Sequence, residues 1–493
     1  MPLRRCALAA ARVLLQFLSE RLDPMTASTA SADKALNQAQ RPVVQALVAA
    51  LPEGTVILGG AVTERSAGIW RSDQIQAQVL VRPKTTEEVS CALRICHEHH
   101  QSVVPHGGLT GLVEGALTQP LDIVLSTERL NVIEEISASE RTMVVQAGVM
   151  LQSVQEAAAS EGLMFPLDLG SRGSCTLGGN LSTNAGGNRV IRYGMARDMV
   201  LGLEAVMADG TVISSMNRMI KNNAGYDLKQ WFLGTEGTLG IITRAVLRCR
   251  EEVTTAPTAL VAINSFEALV ALLKQLDRGL AGNLSAFEVM WQNFYQLVTQ
   301  PPAPNQRPLQ DDAAYYVLVE AMGAAQEQLE AILEQALEAE LIVDAVVSQS
   351  SQQTDQLWGL RDDVAQTFQF SPVFLFDVSL RLSEMARYVD AVNAGLAARF
   401  DAPKNFVLGH VGDGNLHFAI AVGGDSRAQR EGVEAAVYEP LKAIQGSVSA
   451  EHGVGLEKKP YLHFVRDEAE IQLMRTIKAA MDPRGILNPG KIF

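Results

Sequence analysis

From about Arg41 the chain falls into short apolar runs separated by polar and glycine-rich stretches. Pro42 to Leu51 reads as a short helix and Val79–Val81, closed by Arg82-Pro83, as a strand. Thr85-Thr86-Glu87-Glu88 then opens a helix to about His99, because a Thr cap with Glu three residues on is a capping box. Val103–Pro105 is the next strand. After Arg250 the pattern changes. An apolar strand, Ala259–Ile263, precedes an amphipathic helix from Phe266 to Leu276. A proline-rich linker at Pro301–Pro304 leads to strand Tyr315–Glu320, a Glu/Gln/Ala-rich helix over 325–338 and strand Ile342–Val347. Strands, helices, then strands again predict an α+β domain with an antiparallel sheet. The chain therefore divides into an N-terminal extension (1–40), a first domain (41–252) and a second (253–493).

The most informative stretch is Leu408–Ile420. Its Asp413-Gly414 pair is a strong two-residue hairpin signal. Counted outward from that turn, His410 faces His417, with Cβ atoms about 5 Å apart on one face of the sheet. Two imidazoles so placed can share a divalent ion at about 2.0–2.1 Å. Taken alone, such a pair is more often a stacked, hydrogen-bonded couple than a ligand set. Ser449–Gly455 adds to it: Glu451 is a candidate carboxylate ligand and His452 a separate acid/base. His410, His417 and Glu451 together would leave a coordination position open, as a catalytic metal requires.

Composition narrows the function classes. A length of 493 residues with 47% hydrophobic content predicts two to three domains with ample core. The net charge of −14 excludes a general nucleic-acid or anionic-membrane binder. No apolar run reaches the ~18 residues of a membrane span. The five cysteines, Cys6, Cys91, Cys96, Cys175 and Cys249, are odd in number and form no CxxC, which fits a reducing compartment, the cytoplasm. Residues 1–24 are Arg-rich and read either as sequence upstream of a true start at Met25 or as a mitochondrial targeting segment.

Three glycine-rich stretches remain. Pro105–Ala116 carries Gly107, Gly108, Gly111 and Gly115 directly after a strand, so its backbone N–H groups can cradle an anion. It is neither GxGxxG nor a P-loop. Pro166–Asn188 is too poor in core-forming residues and too long to be an idle loop. There Asp168 and the Ser174–Thr183 region could hold ribityl hydroxyls or a second phosphate. Gly234–Thr243 places Gly237 and Gly240 for close backbone approach. Three such stretches in one region point to an extended dinucleotide.

Pro105–Ala116, Gly173–Gly187, Asp209-Gly210, Asn223–Lys229 and Gly234–Ile242 together resemble the FAD-binding domain of the vanillyl-alcohol oxidase/p-cresol methylhydroxylase flavoproteins. Gly409–His417, Glu451–Gly455, Asp482–Lys491, Leu284–Met290 and Leu357–Arg361 resemble the C-terminal substrate domain of FAD-linked D-2-hydroxy acid dehydrogenases, the D-2-hydroxyglutarate branch first and the D-lactate branch next. The resemblance implies a two-part FAD-binding domain followed by an α+β substrate domain whose closing residues return to the flavin. It implies FAD contacts from Pro105, Gly107, Gly108, Leu109, Thr110 and Gly111; from Asp168, Gly173, Ser174, Thr176, Gly179, Asn180, Ser182, Thr183, Asn184 and Gly187; and from Glu236, Gly237, Gly240, Ile242 and Asn488. Leu109 stands where some relatives carry a flavin-linking histidine, which implies non-covalent FAD. His410, His417 and Glu451 are implied as ligands of a divalent metal, Zn2+ ahead of Mn2+. His452 is implied as base and Arg361 as carboxylate clamp.

Three positions depart from the glutarate pattern: Ala365, Leu375 and Ala419 replace polar groups. A distal carboxylate would be left unpaired there, so the expected substrate is D-2-hydroxyglutarate or a smaller or more apolar acid such as D-lactate. The expected reaction is oxidation to the 2-keto acid, with a quinone, an electron-transfer flavoprotein or a 2-keto acid as electron acceptor. A homodimer is a further expectation. The competing readings are a non-redox flavoenzyme of the alkyl-glycerone-phosphate synthase type and a metallohydrolase.

Overall fold

The structure is a computed structural model that describes residues 38, 40–68 and 74–493. The expectation for residues 1–24 lies outside these residues. No described helix is long and apolar enough to cross a membrane. The four described cysteines, Cys91, Cys96, Cys175 and Cys249, are free thiols.

The first half holds two sheets. In the first, β1 (Val56–Leu58), β2 (Val79–Val81), β4 (Ile123–Ser126) and β3 (Val103–His106) lie in the order β1-β2-β4-β3. The predicted helix runs Thr86–Glu98, and the Thr85 side chain accepts from Glu88 N as the capping pattern requires. Val103–Pro105 extends by one residue, to His106. The second sheet has the order β5-β6-β10-β8-β9, from β5 (Ile133–Ser137), β6 (Thr142–Gln146), β8 (Val200–Val206), β9 (Val212–Ser215) and β10 (Ile241–Arg248). β7 (Leu163–Met164) and β11 (Arg250–Glu251) form a separate two-stranded ribbon.

The second half is built on one seven-stranded sheet in which every adjacent pair is antiparallel, as expected. Its strands are β12 (Thr258–Ile263), β13 (Leu284–Trp291), β14 (Tyr315–Ala321), β15 (Asp344–Val347), β16 (Phe374–Ser379), β17 (Lys404–His410) and β18 (Asn415–Ala421), in the order β15-β12-β14-β13-β17-β18-β16. The Pro301–Pro304 stretch is a loop inside this half, between helix Gln292–Thr299 and β14.

Strand side chains alternate between faces, and this sheet is buried on both. One face takes the main core: Val289, Val317, Phe376, Val407 and Phe418 pack against helices Phe266–Leu280, Gln326–Glu338, Met385–Ala397 and Arg427–Tyr438. On the other, Leu260, Tyr316, Met290, Leu408 and Ala419 pack against Phe294, Tyr295 and Val298 of one helix and Leu357 and Leu360 of the helix Ser351–Asp362. That second face also carries the polar residues described below.

The end of the chain returns to the first half. Val103 N donates to Ile486 O, Asn488 N to Val103 O, and Val103 pairs in parallel with Leu487. Ile486 and Leu487 belong to the core of the first sheet.

Candidate active site

The site begins with one register. The predicted pairing of His410 with His417 does not form. Val411–Asp413 make a turn of 3-10 helix, Gly414 takes φ +94°, and His417 faces Leu408 instead. Packing explains the longer turn: the space beside Gly412 is taken by Ile191 of the first half and by Phe287. A shift of two residues leaves both imidazoles on the same face, since side-chain direction repeats every two positions. The rings are edge-to-face, with centroids 5.2 Å apart.

Glu451 completes the group. Ligand atoms of His410, His417 and Glu451 all lie within 4.8 Å of one another. His410 Nε2 is 3.9 Å from Glu451 Oε1, and His417 Nε2 is 3.9 Å from Oε2. Tetrahedral bonds of about 2.0–2.1 Å need donor separations near 3.3 Å, so small side-chain rotations suffice. Burial, then His410, His452 and Arg361, hold His417 well below the usual imidazole range, in the neutral form that a metal ligand needs.

Two buried carboxylates that sequence reasoning missed organise this group. Glu288 pairs in register with His410 across β13 and β17. Its Oε1 accepts from His410 Nδ1 at 2.7 Å and its Oε2 from Arg361 Nε at 2.8 Å. Arg361 Nη2 lies 3.0 Å from His410 Nε2, so that nitrogen carries the lone pair and Nδ1 the proton. Burial opposes the charge on Glu288, and His410 and Arg361 overcome it. The Arg361 guanidinium also meets Asp362 at 3.4 Å.

Asp377 is the second. Paired in register with His417, it is wholly buried. Its Oδ2 accepts from the backbone N–H groups of Ala450, Glu451 and His452 at 2.9, 2.7 and 3.2 Å. Its Oδ1 accepts from Lys458 Nζ and sits 3.0 Å from His452 Nδ1. Burial opposes this charge too, and His452 and Lys458 hold the carboxyl well below its ordinary range. With Nδ1–H pointed at Asp377, His452 Nε2 is the free nitrogen. The signal for both carboxylates was in the sequence: one acid inside an otherwise apolar strand, Leu284–Trp291 or Phe374–Ser379, persists only with a partner. Asn415 was also missed. It is buried, shares the face of His417, and neither side-chain amide atom has a partner. Burial, opposed by His410 and reinforced by Glu288 and Glu451, pushes nearby Asp413 up to about 7.

The glycine-rich stretches converge on this group. A Cβ on Gly108 would collide with Ser174 O, so the first and second stretches touch through backbone. A Cβ on Gly186 would come within 2.5 Å of Glu451 Oε1, which puts the second stretch against the ligand set. Glu236 of the third stretch accepts from Val454 N at 2.7 Å and Gly455 N at 2.9 Å. Asn488 Nδ2 donates to Glu236 O and Gly115 O at 2.7 and 3.2 Å. Leu109, Asn184, Glu236 and Asn488 are non-glycine residues at positive φ, and such strain gathers at functional sites. Thr176 Oγ1, Asn180 Nδ2 and Asn488 Oδ1 are buried without partners, as fits a polar dinucleotide along these loops.

Some predicted positions also make contacts within the protein. Ile242 lies in the core of the second sheet, and Asp168 is held by Arg172 and Arg189 at 3.0 and 3.3 Å. Asn184 Oδ1 accepts from Arg197 N and Thr183 Oγ1 donates to Gly179 O.

Two family models match the chain. Residues 77–215 match an FAD binding domain and residues 254–492 match the C-terminal domain of FAD linked oxidases. A mitochondrial D-2-hydroxyglutarate dehydrogenase of Bos taurus is 39% identical over 85% of this chain and 77% of that protein. A mitochondrial protein of Schizosaccharomyces pombe, provisionally named a D-lactate dehydrogenase, is 37% identical over 84% of this chain and 82% of its own. Among solved structures, p-cresol methylhydroxylase with bound substrate shares the fold with a TM-score of 0.73 and 17% identity, over 93% of this chain and 98% of that one.

Proposed function

The chain belongs to the FAD-linked D-2-hydroxy acid dehydrogenases, an FAD-dependent oxidoreductase family, and on that premise we propose that it oxidises D-2-hydroxyglutarate or a smaller D-2-hydroxy acid to the 2-keto acid at the His410/His417/Glu451 cluster. The observation that carries this reading is the convergence of the FAD-domain loops on that cluster, Gly186 against Glu451 above all.

When bound, FAD would supply a hydride acceptor at N5, and a divalent ion on His410, His417 and Glu451 would supply a Lewis acid for the 2-hydroxyl. The chain's own residues do the rest. Arg361, held by Glu288 at Nε, touches Asp362 through Nη1 and His410 through Nη2, and its remaining N–H groups would pair the C1 carboxylate. His452 takes the hydroxyl proton at Nε2, while Asp377 fixes the tautomer at Nδ1. Asp377 also gathers the backbone of Ala450–His452, so one carboxylate sets both a ligand's loop and the base. Electrons then pass to a quinone, an electron-transfer flavoprotein or a 2-keto acid.

The test is anaerobic bleaching of the yellow protein. D-2-hydroxy acids should bleach it and their L-enantiomers should not, and chelation or His417→Ala should remove bleaching while the flavin stays bound. Bleaching that survives both treatments would rule out the metal's role.

A further inference from the structure

The loop that carries Glu451 and His452 is strung between two carboxylates, one from each half of the chain. Asp377 of β16 takes the backbone N–H groups of Ala450, Glu451 and His452. Glu236 takes those of Val454 and Gly455, through Oε1 at 2.7 Å and Oε2 at 2.9 Å. Five of the six N–H groups from Ala450 to Gly455 are thus held by side-chain anions. Gly453 lies between the two grips, and a Cβ there would come 2.8 Å from Glu236 Oε1.

Glu236 is itself fixed from the first half. Its N donates to Ser182 O at 2.8 Å, in the second glycine-rich stretch. Its carbonyl oxygen accepts from Asn488 Nδ2 at 2.7 Å, and that amide also reaches Gly115 O in the first stretch at 3.2 Å. The residue is 8% exposed and sits at φ +51°, strained for a side chain other than glycine. Burial opposes its charge, and the two N–H groups and Lys458 work against that burial. An acid so buried, on so strained a backbone, persists where the surrounding structure requires it.

Resting on the oxidation proposed above, we infer that Glu236 is a positioning residue for that reaction: it ties the loop of Glu451 and His452 to the three glycine-rich stretches, so that base and ligand set keep one register against the loops that would hold FAD. Asp377 sets the near side of the loop from within its own half. Glu236 sets the far side from the other half. The carboxylate serves the loop, while its main chain stays with the glycine-rich stretches.

Glu236→Gln tests this in the protein loaded with FAD and metal. A glutamine turns its amide N–H toward one of the two donors, so at least one charge-assisted bond is lost. Hydrogen exchange at Val454 and Gly455 should quicken by about 10–100-fold, while Ala450–His452, held by Asp377, stay protected. Flavin should stay bound. The limiting rate of flavin reduction by a D-2-hydroxy acid should fall by about 10–100-fold. KM should hold, because Glu288 and not Glu236 fixes Arg361. Gly453→Ala presses on the same contact from the second half and reads it even if Glu236→Gln fails to fold. The double variant should be no slower than the worse single one. Unchanged exchange at Val454 and Gly455, or an unchanged limiting rate, would overturn the inference. So would loss of flavin, which would make the carboxylate a cofactor contact. If no D-2-hydroxy acid reduces the flavin of the unmodified protein, the oxidation falls and the role assigned to Glu236 falls with it, even where the exchange result holds.

Discussion

Replacing Glu288 with Gln tests the logic of the site directly. The carboxylate is 1% exposed and accepts two hydrogen bonds, from His410 Nδ1 at 2.7 Å and Arg361 Nε at 2.8 Å. A glutamine of the same shape can accept one and must turn its amide N–H toward the other donor. At least one charge-assisted bond is lost, about 1.5–3 kcal/mol. The larger loss is the buried guanidinium left with Asp362 alone in place of its main counter-charge, about 3–5 kcal/mol when one partner of a buried pair is removed. At about 2–4 °C per kcal/mol, the second half should melt roughly 6–20 °C lower. Loss of the group that orients a ligating histidine should weaken metal binding by about 10–100-fold. Competition with a chromogenic chelator measures the affinity, and calorimetry measures the melting. A Glu288→Gln protein with unchanged metal affinity would refute the assignment of Glu288 as the orienting carboxylate for His410.

Two further expectations follow from other residues. Asp377→Asn should keep the metal but lower kcat by about 10²–10⁴, because His452 loses its Nδ1 acceptor, and stopped-flow flavin reduction at saturating substrate will show it. His106 concerns pH: burial holds its imidazole down to about 4, while the unfolded chain titrates near 6.5. The folded form prefers the neutral ring, so the unfolded chain takes up protons first as pH falls. Stability from this group is whole above pH 6.5 and is lost toward pH 4, on the order of 3 kcal/mol in all. His106→Gln should flatten the melting temperature against pH across that window, and parallel curves for the two proteins would contradict the idea.

Much of the site was legible because its chemistry sits in short motifs. The hairpin histidines were placed on the correct face even though the register was two residues off, since only an odd slip would have turned one away. The capped helix after Thr85 was legible because a capping box is local. Glu288 and Asp377 were not, because nothing near them in sequence names a partner. Their partners lie on other elements 73 to 122 residues away. The turn at Val411–Asp413 escaped for the same reason, being shaped by Ile191 from the other half of the chain.

The return of Ile486–Asn488 to Val103 has a consequence for biosynthesis. The sheet that contains Val103 gains its outermost partner only after both halves of the fold have been synthesised. The early part of the chain must therefore wait for Ile486–Asn488, and a nonsense codon or clipping just before Asp482 would injure the first half as well as the second.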